Sequence, residues 1–406
     1  MSLLRRYVLP VGCFAGGVAS GMFLQQQQQQ QQPSALAPAK TDASSAAKTP
    51  YDAPVDLFDA VGNTPLIELK SLSKLTNCKI YAKAEYMNPC GSVKDRAAKF
   101  LILDAEESGA IKAGDTIVEA TGGNTGVSLA LLAAARGYKT MFTMPEKTAR
   151  EKIELMKVMG AQVFVQPMAS MFDKENHFYH VAQRLSKTIE NAVYPNQFEN
   201  TANMKAHYMT TGPEIWRQTN GTIDGFVTSS GTAGTISGIS KFLKEKKPEC
   251  AVWIVDPEEV AGISKFVNDD RTTSSMKDGF EVIQAKQGST IAEGVGLSRV
   301  TPNFREAKVD KGITATNQEV VDMAYFLLRN DGIFVGPSAA LNALGAVKMA
   351  RELGPGSTVV TILCDGGDRY RSKLYNPAWL KEQDLLPSTG EGRGDSLTFV
   401  HTIKLP

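Results

Sequence analysis

Charge of one sign is missing from this 406-residue chain: 44 Lys and Arg stand against 43 Asp and Glu, a net charge of +1. With no basic stripe, nucleic-acid binding has no electrostatic support. Cysteine is scarce and scattered, at Cys13, Cys78, Cys90, Cys250 and Cys364. An odd set without close spacing gives neither a disulfide framework nor a metal motif, and it points to a reducing compartment. Histidine is scarcer still. His177, His180, His207 and His401 form no ligand pattern, so no metal is expected. No Gly-Lys-Ser/Thr ends a glycine-rich turn, which excludes a Walker A loop. No acidic residue occurs before Asp42.

What the first residues hold instead is Arg5, Arg6 and then an uncharged run from Tyr7 to Leu24. At helical rise that run reaches about 27 Å, just enough to span a hydrocarbon core. Gly12 with Gly16, and Gly17 with Gly21, have the spacing that lets membrane helices pack closely. A glutamine tract (Gln25 to Gln32) and an Ala/Pro/Ser/Thr-rich tether follow. We therefore separate an N-terminal segment and tether (1–53), a body (54–387) and a Gly/Ser/charged tail (388–406). The N-terminal run reads as a membrane anchor through residues 7–24 or a cleaved presequence, and less well as a secretory signal.

In the body, short apolar runs recur between helical stretches: 79–83, 116–119, 140–144, 162–165, 225–228, 251–255 and 357–363. This alternation predicts parallel sheets with helices on both faces.

Three turns carry candidate chemistry. The first is Asn88-Pro-Cys-Gly-Ser-Val-Lys-Asp-Arg96, which sets Lys94 between a turn and a helix over 97–108. A lysine desolvated there becomes a nucleophile for a carbonyl carbon. Read alone, the alternative is a surface lysine in the first turn of a helix. The second is Glu119-Ala-Thr-Gly-Gly-Asn-Thr-Gly126, in a strand-to-helix turn before a helix over 127–136. Its free backbone N–H groups suit a carboxylate, though such turns are common. The third is Thr228-Ser-Ser-Gly-Thr-Ala-Gly-Thr-Ile-Ser-Gly238, followed by a helix over 239–247. A Gly/Ser/Thr-rich turn of this kind cradles phosphate; its glycine spacing does not fit a dinucleotide.

Together these turns resemble the cysteine synthase and cystathionine β-synthase branch of the pyridoxal-phosphate enzymes with the tryptophan-synthase-β type fold. Further matching runs are Val61-Gly-Asn-Thr-Pro-Leu66, Met144-Pro-Glu-Lys147, Gln197-Phe-Glu-Asn200, Thr210-Thr-Gly-Pro-Glu-Ile-Trp216 and Gly336-Pro-Ser-Ala339, in family order. The resemblance covers about Pro54 to Leu380. It implies an α/β fold of two three-layer domains with mostly parallel sheets, the smaller (about 95–205) inserted in the larger, and pyridoxal 5'-phosphate in the cleft between them. Lys94 would bond the cofactor and take the substrate Cα proton. Asn124 would hydrogen-bond the ring hydroxyl. Gly231, Thr232, Ala233, Gly234 and Thr235 would bind the phosphate, and Ser338 would meet the pyridine nitrogen. Thr121, Gly123, Thr125 and Gln197 would hold the substrate carboxylate. A neutral Ser338 makes the ring a weaker electron sink than a carboxylate would, which favours expelling a β-substituent.

The implied activity is cysteine synthase: O-acetylserine and sulfide give cysteine, in a homodimer. Cystathionine formation and cysteine desulfhydration are alternatives, as is a weakly catalytic membrane-tethered scaffold or sulfide sensor. The resemblance to fungal mitochondrial cysteine synthases adds a mitochondrial address, either membrane-anchored (for example in the outer membrane) or in the matrix after cleavage. Two positions depart from the family. Gly122 stands where serine is usual, which opens the question of donor and acceptor. Ala233 stands where glycine is common, a change expected to be harmless. The run Cys364-Asp-Gly-Gly-Asp-Arg-Tyr370 resembles a Cys-Asp-x-Gly motif of one subgroup.

Overall fold

The computed structural model describes residues 56–388, except 270, 272 and 287. The candidate anchor at 7–24 and the tail after Ser388 lie outside the described residues. Among the described residues, no helix is long and apolar enough to cross a membrane.

Two sheets carry the architecture. The larger has six strands, in the order Leu66–Glu68, Lys79–Ala84, Thr358–Leu363, Gly225–Thr228, Ala251–Pro257 and Lys311–Ala315. All its pairings are parallel except the first, where Leu66–Glu68 runs antiparallel at the edge. The smaller is wholly parallel, in the order Gln162–Gln166, Lys139–Pro145, Thr116–Ala120 and Ala192–Val193. Every apolar run read as a strand is one. Thr358–Leu363 and Thr116–Ala120 are buried at every position, as strands covered on both faces must be. Patterning does not reveal a small antiparallel sheet of Ser274–Lys277, Phe280–Ile283 and Arg299–Val300, because strands of two to four residues are too short to show a period.

The core of the larger sheet is closed by the helix Pro337–Leu353, buried from Pro337 to Ala350. Its small residues let it lie close on the strands: a Cβ on Gly345 would come within 2.9 Å of Val227. Beneath the lysine turn lies a buried ionic cluster. Arg96 donates through Nε to Glu85 Oε2 (2.7 Å) and through Nη1 and Nη2 to the two carboxylate oxygens of Glu214 (2.7 and 2.8 Å). Lys83 Nζ lies 2.6 Å from Glu214. Asn63 N donates to Glu214, and Thr64 Oγ1 to Glu85. The runs Val61–Leu66 and Thr210–Trp216 thus serve to seat this cluster.

Candidate active site

Four loops leave the C-terminal ends of parallel strands and meet in one cleft, where open α/β sheets bind ligands. They follow Lys79–Ala84 (to Lys94), Thr116–Ala120 (to Asn124), Gly225–Thr228 (to Gly234) and Thr358–Leu363 (to Asp365). The cavity measures about 1020 Å³. Lys94, Thr121, Gly123, Asn124, Thr125, Gln197, the run Gly231 to Thr235 and Ser338 all line it, so every site residue read from the sequence opens on the same space.

Lys94 is the first residue of the helix Lys94–Glu107, three residues earlier than its sequence pattern suggests. Burial holds its amine below the ordinary lysine value; Cys364 and Asp365 oppose that shift, and Lys152 adds to it. A lysine so placed has a larger neutral, nucleophilic fraction near pH 7.

The second loop is organised from within. Thr121 Oγ1 accepts from Gly123 N and Gly126 N (both 3.1 Å). Thr125 Oγ1 donates to Gln197 Oε1 (2.6 Å), and Gln197 Nε2 donates to Ala120 O (2.7 Å). Gly123 has φ +140°, and a Cβ there would sit 2.5 Å from the Lys152 side chain. Gly122 is different: a Cβ on it would meet nothing within 4 Å. Packing therefore does not require glycine at 122, and the missing hydroxyl leaves open space in the cleft.

In the third loop the helix begins at Gly234, five residues before the sequence reading puts it, so Gly234 and Thr235 form its first turn. Their backbone N–H groups belong to the set that an α-helix leaves unpaired. A Cβ on Gly231 would overlap Gly294 O, and one on Gly234 would overlap Asn203 Oδ1. Asn203 Nδ2 in turn donates to Thr232 Oγ1 (2.8 Å) and Gln197 O (2.9 Å), which couples this loop to the second. Ala233 has φ +72°, a left-handed conformation that strains any residue with a Cβ, so the exchange of glycine for alanine there is not harmless. His207 Nε2 lies 3.2 Å from Thr235 Oγ1, and burial pulls its ring well below the usual histidine value. It is a neutral support for the loop.

The sequence reading misses several residues here. Lys152 is 2% exposed, pairs with Glu293 (2.9 Å) and donates to Tyr370 Oη (2.9 Å). Nothing in the helical pattern around it marks a buried lysine. Glu119 is wholly buried beneath the second loop, and burial pushes its carboxyl up to about 8 against the backbone hydrogen bonds it accepts. Asp365 and Arg369 both hold Asn124: Asn124 Nδ2 donates to Asp365 Oδ2 (2.6 Å), and Arg369 Nη1 donates to Asn124 Oδ1 (2.8 Å). Their signal is present in the Cys364–Tyr370 run, without a role attached. Ser338 stands at the start of its helix beside Cys364, whose thiol burial pushes up to about 11. Cys90 is buried with its thiol raised beyond the physiological range by burial and by Asp95, which makes it a turn residue and not a reactive one.

The donor set fits pyridoxal phosphate. A glycine cradle without room for Cβ atoms opens a helix, Ser230 Oγ lies buried beside it without a partner, and a desolvated amine faces the same space. Phosphate at the first and a carbonyl at the last are the two groups that such a site takes.

Comparison with known proteins agrees. "Cysteine synthase" of Dictyostelium discoideum is 46% identical over 81% of this chain and 86% of its own. "Putative mitochondrial cysteine synthase" of Saccharomyces cerevisiae is 41% identical over 80% of this chain and 85% of its own. The solved O-acetylserine dependent cystathionine beta-synthase of Helicobacter pylori superposes with a TM-score of 0.69 at 33% identity, covering 79% of this chain and 98% of that one. The family model "Pyridoxal-phosphate dependent enzyme" matches residues 57–365, and the chain belongs to that family.

Proposed function

We propose that this protein is a cysteine synthase that replaces the acetoxy group of O-acetyl-L-serine by sulfide. The observation that carries this reading is the convergence on one cavity of an amine, an anion loop, a carboxylate loop and a neutral hydroxyl, Ser338. Pyridoxal phosphate, when bound, supplies the electron sink that lets a β-substituent leave an amino acid.

The chain's own residues do the rest. Gly231, Thr232, Ala233, Gly234 and Thr235 would hold the phosphate through backbone N–H groups and hydroxyls. Thr121, Gly123, Thr125 and Gln197 would orient the substrate carboxylate. Lys94 Nζ would accept the Cα proton, a role its lowered proton affinity favours. Ser338 would meet the ring nitrogen as a neutral partner. The open space at Gly122 and a cavity much larger than sulfide needs favour a second reading, in which an organic thiol also serves as acceptor. The name of the Helicobacter pylori protein is consistent with that.

We also propose that about residues 95–205 form the smaller subdomain, that the active protein is a homodimer, and that residues 1–53 give a mitochondrial address, with 7–24 as a membrane anchor. The name of the Saccharomyces cerevisiae relative supports the organelle.

Steady-state product formation tests the reaction. O-acetylserine with sulfide should give cysteine at a higher kcat/KM than serine with homocysteine gives cystathionine, and Lys94→Ala should abolish both the turnover and the visible absorbance of the bound cofactor. Faster cystathionine formation from serine would replace this reading, and an unchanged visible band in Lys94→Ala would remove Lys94 from its role.

A further inference from the structure

The run from Cys364 to Tyr370 has no part in the roles above, yet it converges on the site. Asp365 is fully buried at the end of the strand Thr358–Leu363. Its Oδ2 accepts from Asn124 Nδ2 (2.6 Å) and from Tyr370 Oη (2.6 Å). Arg369 is 7% exposed and donates to Asn124 Oδ1 (2.8 Å) and to Cys90 O in the turn that precedes Lys94. That turn is built around the guanidinium: Gly91 has φ +77°, and a Cβ on it would lie 2.7 Å from Arg369 Nη2.

We propose that Asp365 and Arg369 are positioning residues that lock the amide of Asn124 in one orientation, so that it meets the cofactor as a hydrogen-bond donor only. The inference rests on the reading that Asn124 faces the ring oxygen of pyridoxal phosphate. The two ends of a primary amide have nearly the same shape, so shape alone does not choose between its two orientations. Two buried partners of opposite charge do choose. A carboxylate accepts only and a guanidinium donates only. A flipped amide would set its carbonyl against Asp365 and its NH₂ against Arg369, losing two charge-assisted hydrogen bonds and gaining two repulsions.

In the locked orientation one N–H of Asn124 is spent on Asp365 and one remains. An oxygen held by that remaining N–H is an acceptor, which favours the ionised form of the ring hydroxyl. The clamp also joins the Lys94 turn, through Cys90 O, to the loop that carries Asn124. Tyr370 extends it further, since its hydroxyl accepts from Lys152, so a residue of the helix Arg150–Val158 on the smaller sheet touches the same chain of hydrogen bonds.

The test uses the holoenzyme spectrum and the affinity of the apoenzyme for pyridoxal phosphate. Asp365→Asn should shift the visible band and weaken cofactor binding about tenfold, the loss of one charge-assisted hydrogen bond. Asn124→Ala should do the same. Because Asp365 acts through Asn124, the double variant should be no weaker than Asn124→Ala alone. A wild-type band and affinity in Asp365→Asn, or losses that add in the double variant, would overturn the clamp. A wild-type band in Asn124→Ala would overturn the assignment of Asn124 and the clamp with it, while product formation by the wild type decides the reaction separately. If Asp365→Asn does not fold, Arg369→Lys carries the same comparison, because an ammonium keeps the charge but does not reach both Asn124 and Cys90 O.

Discussion

At the scale of single residues, the site is held by contacts that admit little change, and Ala233 is the exception that shows where a substitution has a cost. It sits at φ +72° inside the candidate phosphate loop. A Cβ in that conformation costs about 1–2 kcal/mol, and glycine in its place would return part of this as a larger loss of chain entropy, about 0.5–1 kcal/mol. Ala233→Gly should therefore stabilise the apoenzyme by up to about 1.5 kcal/mol, read by urea unfolding. A destabilised variant would mean that the alanine methyl, which is buried in the core behind the loop, contributes more by packing than its backbone loses. Gly231 and Gly234 stand on the opposite footing. Their lack of a side chain is required by Gly294 O and Asn203, and the sequence shows them as glycines without showing those neighbours.

At the scale of elements, the lysine turn owes its position to the ionic cluster beneath it. Burial alone would raise Glu214; hydrogen bonds and charge from Arg96, with Lys83, outweigh burial and hold the carboxyl at about 2. Its folded value is thus depressed from 4.5, so it contributes stability above that pH and loses it as pH falls toward 2. Glu214→Gln, which leaves two buried cations short of a partner, should cost about 3–5 kcal/mol at neutral pH. Between pH 4.5 and 2 its stability should fall less steeply than that of wild type. Equal slopes in denaturant titrations across that range would show that Glu214 is not the coupled group. The strands of both sheets were legible because burial on two faces writes continuous apolar runs, as in Thr358–Leu363. The start of the helix Gly234–Lys246 was not, because glycine, threonine and serine have low helix propensity and the turn is held by tertiary contacts. Lys152, Glu119 and the Asp365–Arg369 pair were illegible as site residues for a related reason: Lys152 meets its partners 141 and 218 positions away, Glu119 accepts from Gln197 N 78 positions on, and Asp365 and Arg369 reach Asn124 across 241 and 245.

At the scale of the whole molecule, the candidate site and the proposed address fall on separate stretches of sequence. Core positions among the described residues run from Phe58 to Leu380, and every site residue read from the sequence falls between Lys94 and Ser338. Among the described residues, the helix Arg150–Val158 on the smaller sheet is tied to the chain beyond the larger sheet's central strand: Lys152 and Lys373 share Glu293, and Ser372 donates to Glu151 through N and Oγ (both 2.8 Å). A chain starting at Thr49 should therefore be soluble and keep the full turnover of the intact protein. The segment from Met1 to Pro54, fused to a reporter, should carry it to mitochondria. If residues 7–24 anchor the protein, the full-length form should resist alkaline carbonate extraction from those membranes; if the segment is a presequence, a shortened form should be released. A cytosolic reporter would remove the address, and an inactive truncated enzyme would show that the N-terminal segment belongs to the working fold. The two outcomes are independent, because the reporter reads address without the enzyme and the truncated enzyme reads turnover without the segment.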